Sequence, residues 1–304
     1  MKRLLDCTAS DFAGMNGEQL KQSILASEGR VLVSEVIGSV TPYYPAVTNG
    51  ELAASFGADL LLLNLFDVNS PVINGLEGEP EVLVKKLKAL TGRPIGLNLE
   101  PVDEKAERLE KLDTLPEGRT SSKASLKRAK ELGFDFVCLT GNPKTGVTNP
   151  EILAAIKNAR EILGEDALII AGKMHGAGVA GETGGSIINS EVLGSFVDAG
   201  ADIILIPSPG TVPGFTVEKT AGLVDEVHAK GALAILTTGT SQEGADEDTI
   251  KKIALYSKMA GADLYHIGDA GASGMALPEN IMAYSIAIRG KRHTYTRMAA
   301  SVRR

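Results

Sequence analysis

Polar side chains of catalytic types occur in pairs, two positions apart, directly after short apolar runs. Because alternate side chains of a β-strand share a face, the two members of each pair should point to the same side of their strand. Amides, carboxylates, an amine and an imidazole gathered in this way can transfer protons or add to a carbonyl carbon. The three pairs are Asn98 with Glu100, Thr140 with Asn142, and Lys173 with His175.

Four residues are predicted to be catalytic. Lys173 would be the base or an iminium-forming amine, and His175 an electrophile or a second proton carrier. Glu35 and Glu100 would be the partner acid or a metal pair, although each could also be a solvated carboxylate or a helix cap. Burial should lower the pKa of Lys173 toward neutrality, and a carboxylate within about 4 Å would oppose that shift. The amides and hydroxyls expected to bind the substrate are Asn64, Asn98, Thr140, Asn142 and Ser208.

One phrase recurs four times and indicates the elements that would position these residues. It reads FGADLLLLN from position 56, LGFDFVCLT from 132, AGADIILIP from 199 and AGADLYHIG from 260. A glycine suits the left-handed end of a helix, and the aliphatic run after it suits a strand buried on both faces. Each copy is therefore predicted to be a junction from a helix into a strand.

Further apolar runs at 31–36, 94–99, 167–171 and 232–236 raise the number of predicted strands to eight, with amphipathic helices between most of them. Eight strands with crossover helices predict a closed (β/α)8 barrel of the TIM-barrel type. Since such barrels carry their catalytic residues at the C-terminal strand ends, the paired residues should converge over one mouth.

The predicted barrel is a single domain of residues 1–304. Residues 1–30, with a helical pattern from Gly17 to Ala26, would form an N-terminal helical extension that caps or plugs the bottom of the barrel. Residues 290–304 would form a basic C-terminal tail.

Glycine-rich segments follow three of the predicted strands. After the fifth strand the chain reads GKMHGAGVAGETGGS, interpreted either as a mobile lid that carries Glu182 and Thr183 or as an ordinary surface loop. The last two strands end in TTGTS and IGDAGASG, where backbone N–H groups could bind a substrate phosphate. The phosphate-binding residues would be Gly239, Thr240, Ser241, Gly268 and Gly271, with Asp269 between them as a repulsive carboxylate unless it faces away.

Composition excludes several classes of protein. With 38 acidic and 31 basic residues the net charge is −7, so nucleic acid is not an expected partner. No apolar run reaches the roughly 18 residues that span a bilayer, so no membrane partner is expected either. The two cysteines, Cys7 and Cys138, cannot form a disulfide framework, and the chain opens without an apolar signal segment. A soluble, cytoplasmic protein is expected.

Five segments carry a resemblance to known barrels: VLVSEV, PIGLNLEP, AGADIILI, TTGTS and IGDAG. With them the chain resembles the ribulose-phosphate-binding superfamily, and in strand order it is similar to N-acylmannosamine-6-phosphate 2-epimerases. In those epimerases a lysine follows the third strand, where this chain has Asn98 and Glu100, so no catalytic residue is carried over.

The segments RLLDCTASD and SEVIGSVTPYYP also resemble a bacterial family labelled haloacid-dehalogenase-like. The motifs do not support that label. Asp6, Cys7 and Thr8 lack the second aspartate of the dehalogenase nucleophile motif and precede any predicted strand.

Together these residues predict an epimerase, isomerase or lyase that acts on a small, phosphorylated, sugar-like metabolite by proton transfer next to a carbonyl. One alternative is a metal-dependent hydrolase or lyase with Glu35, Glu100, His175 and Asp269 as ligands. The other is a non-catalytic regulatory protein that binds a sugar phosphate. No cofactor is expected to be required, with a divalent metal left open. The expected partner is the small-molecule substrate, with a homo-oligomer left open.

Overall fold

The computed structural model describes residues 2–107, 111–182 and 184–304, in which eight parallel strands form one closed barrel. Each strand pairs with the next along the chain, and the last pairs with the first. The predicted (β/α)8 fold and its eight strands are confirmed. The strands are β1 (Val31–Ile37), β2 (Leu60–Asn64), β3 (Ile95–Leu99), β4 (Phe136–Leu139), β5 (Leu168–Gly172), β6 (Ile203–Pro207), β7 (Leu233–Thr238) and β8 (Leu264–Ile267).

An α-helix follows every strand and packs on the outside of the barrel, and two short helices precede β1. The helices after β1 and β8 were not predicted, because the first is short and rich in small residues and the second is kinked at Gly290. The helices are α1 (Ala9–Ala13), α2 (Gly17–Leu25), α3 (Asn49–Ser55), α4 (Leu83–Thr91), α5 (Lys123–Leu132), α6 (Asn149–Leu163), α7 (Ser190–Asp198), α8 (Val217–Ala229), α9 (Glu247–Met259) and α10 (Pro278–Met298).

Within each strand, residues that fill the barrel alternate with residues that face the helices. In β5, Leu168 and Ile170 belong to the inner apolar cluster, whereas Ile169 and Ala171 pack with the helices. In β3, Gly96 faces inward because the Phe136 ring of the next strand lies 2.0 Å from where a Cβ would stand. This alternation decides which strand-end side chains reach the mouth.

The aspartate of the recurring phrase has a structural role at the N-terminal end of the barrel. The Asp59 carboxylate accepts a hydrogen bond from the Leu32 N–H at 2.8 Å, and the Asp59 N–H donates to the Leu32 carbonyl at 2.8 Å. Each copy therefore ties the start of one strand to the strand before it, which explains the repeat without any chemistry. The same double contact joins Asp135 to Ile95, Asp202 to Ile169 and Asp263 to Ala234.

The N-terminal helices cover the bottom of the barrel, as predicted. Leu4, Phe12, Leu20 and Ile24 form one apolar cluster with the inward residues of the strands. Asp6, the residue on which the dehalogenase-like label would depend, lies in this region and pairs with Arg3 rather than facing the mouth.

The basic C-terminal segment packs on this end as well. Arg297 is buried and donates from Nε to Asp59 at 2.8 Å and from Nη1 to the Cys7 carbonyl at 3.0 Å. Arg289, one residue before the kink, also pairs with Asp59. Part of the predicted tail is therefore an anchored helix. In the part of the chain that the structure describes, no helix is long and apolar enough to cross a bilayer.

Candidate active site at the mouth of the barrel

A cavity of about 730 Å³ opens at the C-terminal ends of the strands. The loops around it hold six of the seven described non-glycine residues whose φ is positive. A positive φ is strained in residues with a Cβ, and such strain concentrates at functional sites, so this end of the barrel is the candidate active site. The six residues are Leu65, Lys144, Ala177, Thr240, Ser241 and Ala270.

Most of the predicted site residues line this cavity, but three do not. Glu100, Lys173 and Ser208 are buried away from it, and Thr183 lies outside the described residues. The residues brought together are Glu35, Asn64, Asn98, Thr140, Asn142, His175 and Asp269 from the strand ends, with Gly239, Thr240, Ser241, Gly268 and Gly271 from the last two loops.

The placement predicted for Lys173 is wrong. Spacing of two shows which residues of β5 share a face, and because Leu168 and Ile170 face inward, Lys173 faces outward. Its side chain is 1% exposed, and its Nζ donates to the Val147 carbonyl at 2.8 Å and to Glu182 at 2.6 Å. Burial lowers the pKa of Lys173, and Glu182 opposes that shift. The ammonium therefore holds the glycine-rich loop against the chain that precedes α6.

Ser208 is excluded from the mouth for the same reason. Ile203 and Leu205 face inward in β6, so Ser208 faces the helices, where it accepts a hydrogen bond from Ser257 of α9 at 3.0 Å. Ser208 therefore does not line the cavity in which the substrate contact is predicted.

Glu100 lies behind the mouth and supports Asn142. Its carboxylate accepts from the Asn142 backbone N–H at 2.8 Å, from Asn142 Nδ2 at 2.9 Å and from Arg119 at 2.8 Å. With 1% exposure and these partners, Glu100 cannot reach a substrate in the cavity. The structure thus places it as a support for an amide rather than as the predicted acid.

Three asparagines form a closed network across the floor of the cavity. Asn64 donates from Nδ2 to Asn142 Oδ1 and to Asp269 Oδ2, both at 2.8 Å. Asn64 Oδ1 accepts from Asn98 Nδ2 and from Asn142 Nδ2, both at 3.0 Å. Both amide hydrogens of Asn64 and of Asn142 are thereby used within the protein, so these two amides orient Asp269 and each other rather than a ligand.

Asp269 is the most perturbed carboxyl group at the mouth. Oδ2 accepts from Asn64 and Oδ1 accepts from the Gly271 N–H at 2.8 Å, which fixes the orientation of the group. Burial, and then the nearby charge of Glu35, raises the pKa of Asp269 to about 6. A carboxyl group that titrates close to neutral pH can both accept and donate a proton.

Two residues that the sequence reasoning did not select complete this group. His266 of β8 is 1% exposed, with its Nε2 3.3 Å from Glu35. Glu243 lines the cavity after β7, and burial, followed by the charge of Asp269, raises its pKa. Strand alternation could have found His266, because Leu264 of the same strand faces inward. No pattern marks Glu243, which lies in a loop.

His175 presents a hydrogen-bond donor to the mouth. Burial and the charge of Lys173 lower the pKa of His175 to about 4, so the imidazole is neutral near pH 7. Its Nδ1 accepts from the Ala177 N–H at 3.0 Å, which assigns the ring proton to Nε2.

In the loops predicted to bind phosphate, some backbone N–H groups already donate hydrogen bonds within the protein. The Gly268 N–H donates to the Thr238 carbonyl at 2.9 Å, and the Gly271 N–H donates to Asp269. A phosphate site between these loops stays a prediction.

The alternative metal set is not assembled. Across residues 2–107, 111–182 and 184–304, no three His, Cys, Asp or Glu side chains are grouped so that they could hold a metal ion. Of the four predicted ligands, Glu100 is engaged by Arg119 and Asn142.

Several buried polar atoms at the mouth have no hydrogen-bond partner within the described chain. Buried polar groups in proteins are nearly always paired, so such atoms indicate the position of a ligand or of ordered water. They are Asn98 Oδ1, Thr140 Oγ1, Glu243 Oε2 and both ring nitrogens of His266.

A family model described as Domain of unknown function (DUF7916) matches residues 5–304. No curated protein matches the sequence. Among solved structures, a Schiff-base-forming fructose-1,6-bisphosphate aldolase is similar at a TM-score of 0.55, with 14% identity over 88% of this chain and 99% of the aldolase. A 2,3-dimethylmalate lyase of the PEP mutase/isocitrate lyase superfamily is similar at 0.52, with 12% identity over 87% of this chain and 82% of the lyase.

An archaeal fructose 1,6-bisphosphate aldolase is similar at a TM-score of 0.51, with 15% identity over 88% of this chain and 98% of that chain. At such identities these likenesses show the fold alone. The barrel implied by the superfamily resemblance is confirmed, and the relationship to the epimerases stays a prediction.

Proposed function

The chain belongs to the DUF7916 family, and for this member we propose an isomerase, epimerase or lyase that transfers a proton at the carbon next to the carbonyl of a small hydroxylated substrate. One observation carries the proposal: the Asp269 carboxyl group is fixed by two hydrogen bonds in the wall of the mouth, where burial and the charge of Glu35 raise its pKa to about 6. Such a group matches the requirement for general acid–base catalysis near neutral pH.

The proposed reaction starts when the Asp269 carboxylate takes the proton from the substrate carbon. The electron pair of the broken C–H bond moves onto the carbonyl oxygen, which the neutral His175 stabilises through its Nε2–H. Asp269, which then carries the proton, returns it to the former carbonyl carbon, while the hydroxyl proton on the first carbon passes to the negatively charged oxygen and the first carbon becomes the new carbonyl carbon. This transfer gives an isomer, whereas an epimer forms when a proton from water reaches the opposite face of the first carbon instead.

Lys173 has no chemical step in this proposal. An amine that is 1% exposed and paired with Glu182 outside the cavity is not placed to add to a bound carbonyl. A Schiff-base route, such as the one in the name of the similar aldolase, would need a different lysine. If the substrate is phosphorylated, we place its phosphate at the exposed rim, where Lys144 is the lysine among the described lining residues.

The test is deuterium incorporation. The protein is incubated in D2O with hydroxylated aldehydes and ketones, each with and without a terminal phosphate, and ¹H NMR follows the hydrogen next to the carbonyl. We expect exchange with at least one compound and a loss of at least about 100-fold in Asp269→Asn. Glu161→Gln, which changes an exposed carboxylate far from the mouth, is the matched control and should exchange like the wild type.

Exchange that is equally fast in Asp269→Asn would contradict the role of Asp269. Binding of sugar phosphates without exchange of any compound would favour the regulatory alternative instead.

A further inference from the structure

We propose that the substrate carries a primary amine as well as its carbonyl, and that Glu243 binds this amine as an ammonium group at the mouth. The inference rests on the proposed function, since it concerns the substrate of the same cavity. The unpaired acceptors that line the cavity, and the charges of its lining residues, support it.

First, the cavity is lined by a buried acceptor that has no donor within the described chain. The amide hydrogens of Asn64 and Asn142 are used within the protein, so neither amide has a donor left for a ligand. Asn98 is 3% exposed and lines the cavity, and its Oδ1 has no partner in the described chain. A buried acceptor of this kind takes a donor from the ligand or from ordered water.

The second argument is Glu243 itself. Its side chain lines the cavity, its residue is 8% exposed, and Oε2 has no partner among the described residues. The backbone at Glu243 is held, because the buried Asn280 donates from Nδ2 to the carbonyls of Glu243 and Ala245 at 3.0 and 2.9 Å. A buried carboxylate oxygen without a donor is a site for a strong donor such as an ammonium group.

The third argument is charge. Glu35, Glu243 and Asp269 line the cavity, whereas Lys144, on the exposed rim, is the lysine or arginine among its described lining residues. His175 adds no positive charge, since the pKa of its imidazole is about 4. The floor therefore attracts a cation and repels an anion, and the low dielectric of a buried site strengthens both effects.

The experiment measures binding by isothermal titration calorimetry at pH 7. Its probes are a 2-amino-2-deoxyhexose, the parent hexose and the N-acetylated amino sugar, each with and without a 6-phosphate. The amine should bind at least 10-fold more tightly than its hydroxyl and N-acetyl counterparts. Glu243→Gln should reduce this preference to less than 3-fold, and Glu161→Gln, the surface control, should keep it.

Equal or tighter binding of the hydroxyl or N-acetyl sugars would overturn the inference, as would a failure of every amine to bind. Tight binding of Mn²⁺ alone, lost in Glu243→Gln, would also overturn it by assigning the acceptors to a metal ion. The deuterium exchange assay on the same panel separates the two proposals. Exchange without an amine preference retains the proposed function and rejects this inference, whereas an amine preference without exchange does the reverse.

Discussion

Removing the charge of Glu182 should destabilise the protein through Lys173. The Lys173 ammonium is 1% exposed and 2.6 Å from Glu182, and its other close partner is the Val147 carbonyl. Breaking a buried ion pair from one side typically costs about 3–5 kcal/mol, because the remaining charge stays buried without a partner. Glu182 is 19% exposed, so we expect Glu182→Gln to lower the free energy of unfolding by about 3 kcal/mol.

The destabilisation by Glu182→Gln should depend on pH and on the charge of Lys173. Burial already lowers the pKa of Lys173, and loss of Glu182 lowers it further, so the folded protein holds this proton less tightly than the unfolded chain. The loss of unfolding free energy in Glu182→Gln should therefore be largest near pH 6 and shrink toward pH 10, where Lys173 is deprotonated and no unpaired charge stays buried. In Lys173→Met/Glu182→Gln no charge remains to be buried, and most of the stability should return.

The assay is thermal unfolding of the single and double variants between pH 6 and 10. At roughly 2 °C per kcal/mol for a chain of this size, Glu182→Gln should lower the Tm by about 6 °C at pH 6. The exposed pair Lys123–Glu161 is the control, and Glu161→Gln should leave the Tm unchanged. An unchanged Tm in Glu182→Gln, or a double variant as unstable as the sum of the singles, would refute the buried-pair account.

Three further outcomes are expected. Asp269→Asn should raise the free energy of unfolding by about 3 kcal/mol above pH 6 and leave it unchanged below pH 4. The reason is that a carboxyl pKa raised from 3.8 to about 6 costs stability only as the pH rises through that range. Thermal unfolding at pH 4 and pH 8 measures the difference, and equal shifts at both pH values would contradict it. Borohydride treatment with carbonyl compounds should leave Lys173 unmodified, and an adduct found on Lys173 by peptide mass spectrometry would show that its amine reaches a substrate. Asn142→Ala should lower the free energy of unfolding, measured in urea, by about 1–3 kcal/mol, because the buried Glu100 loses a hydrogen-bond donor. It should also slow the deuterium exchange, because Asn142 contacts Asn64, which orients Asp269. Exchange at the wild-type rate would show that Asn142 is not needed to orient Asp269.

Much of this architecture follows from the sequence because it depends on local patterns. The recurring glycine–apolar phrases predict the helix-to-strand junctions, and eight buried runs predict the closed barrel that the structure has. The role of the aspartate within each phrase does not follow from such a local pattern, because its contact lies on the preceding strand, 27 residues away for Asp59 and Leu32.

The site was predicted only in part because a spacing of two leaves the face undetermined. Lys173 with His175 satisfies the spacing, yet only His175 lines the cavity. The inward residues Leu168 and Ile170 indicate the outward direction of Lys173, which directly follows β5, but the alternation does not extend to His175, because β5 ends at Gly172. The same alternation of inward and outward residues excludes Ser208 from the mouth and predicts His266 there. Glu182 and Glu243 lie in loops, where no periodicity restricts the direction of a side chain, so only the structure reveals their partners.

The account depends most directly on the titration of one carboxyl group. The protein, labelled with ¹³C at aspartate side-chain carboxyls, is titrated by NMR, with the Asp269 signal assigned from its absence in Asp269→Asn. The account predicts an apparent pKa of about 6 for Asp269 that falls in Glu35→Gln, because the charge of Glu35 contributes to the shift. A value near the ordinary 3.8, unaffected by Glu35→Gln, would contradict the assignment of Asp269 as the proton carrier.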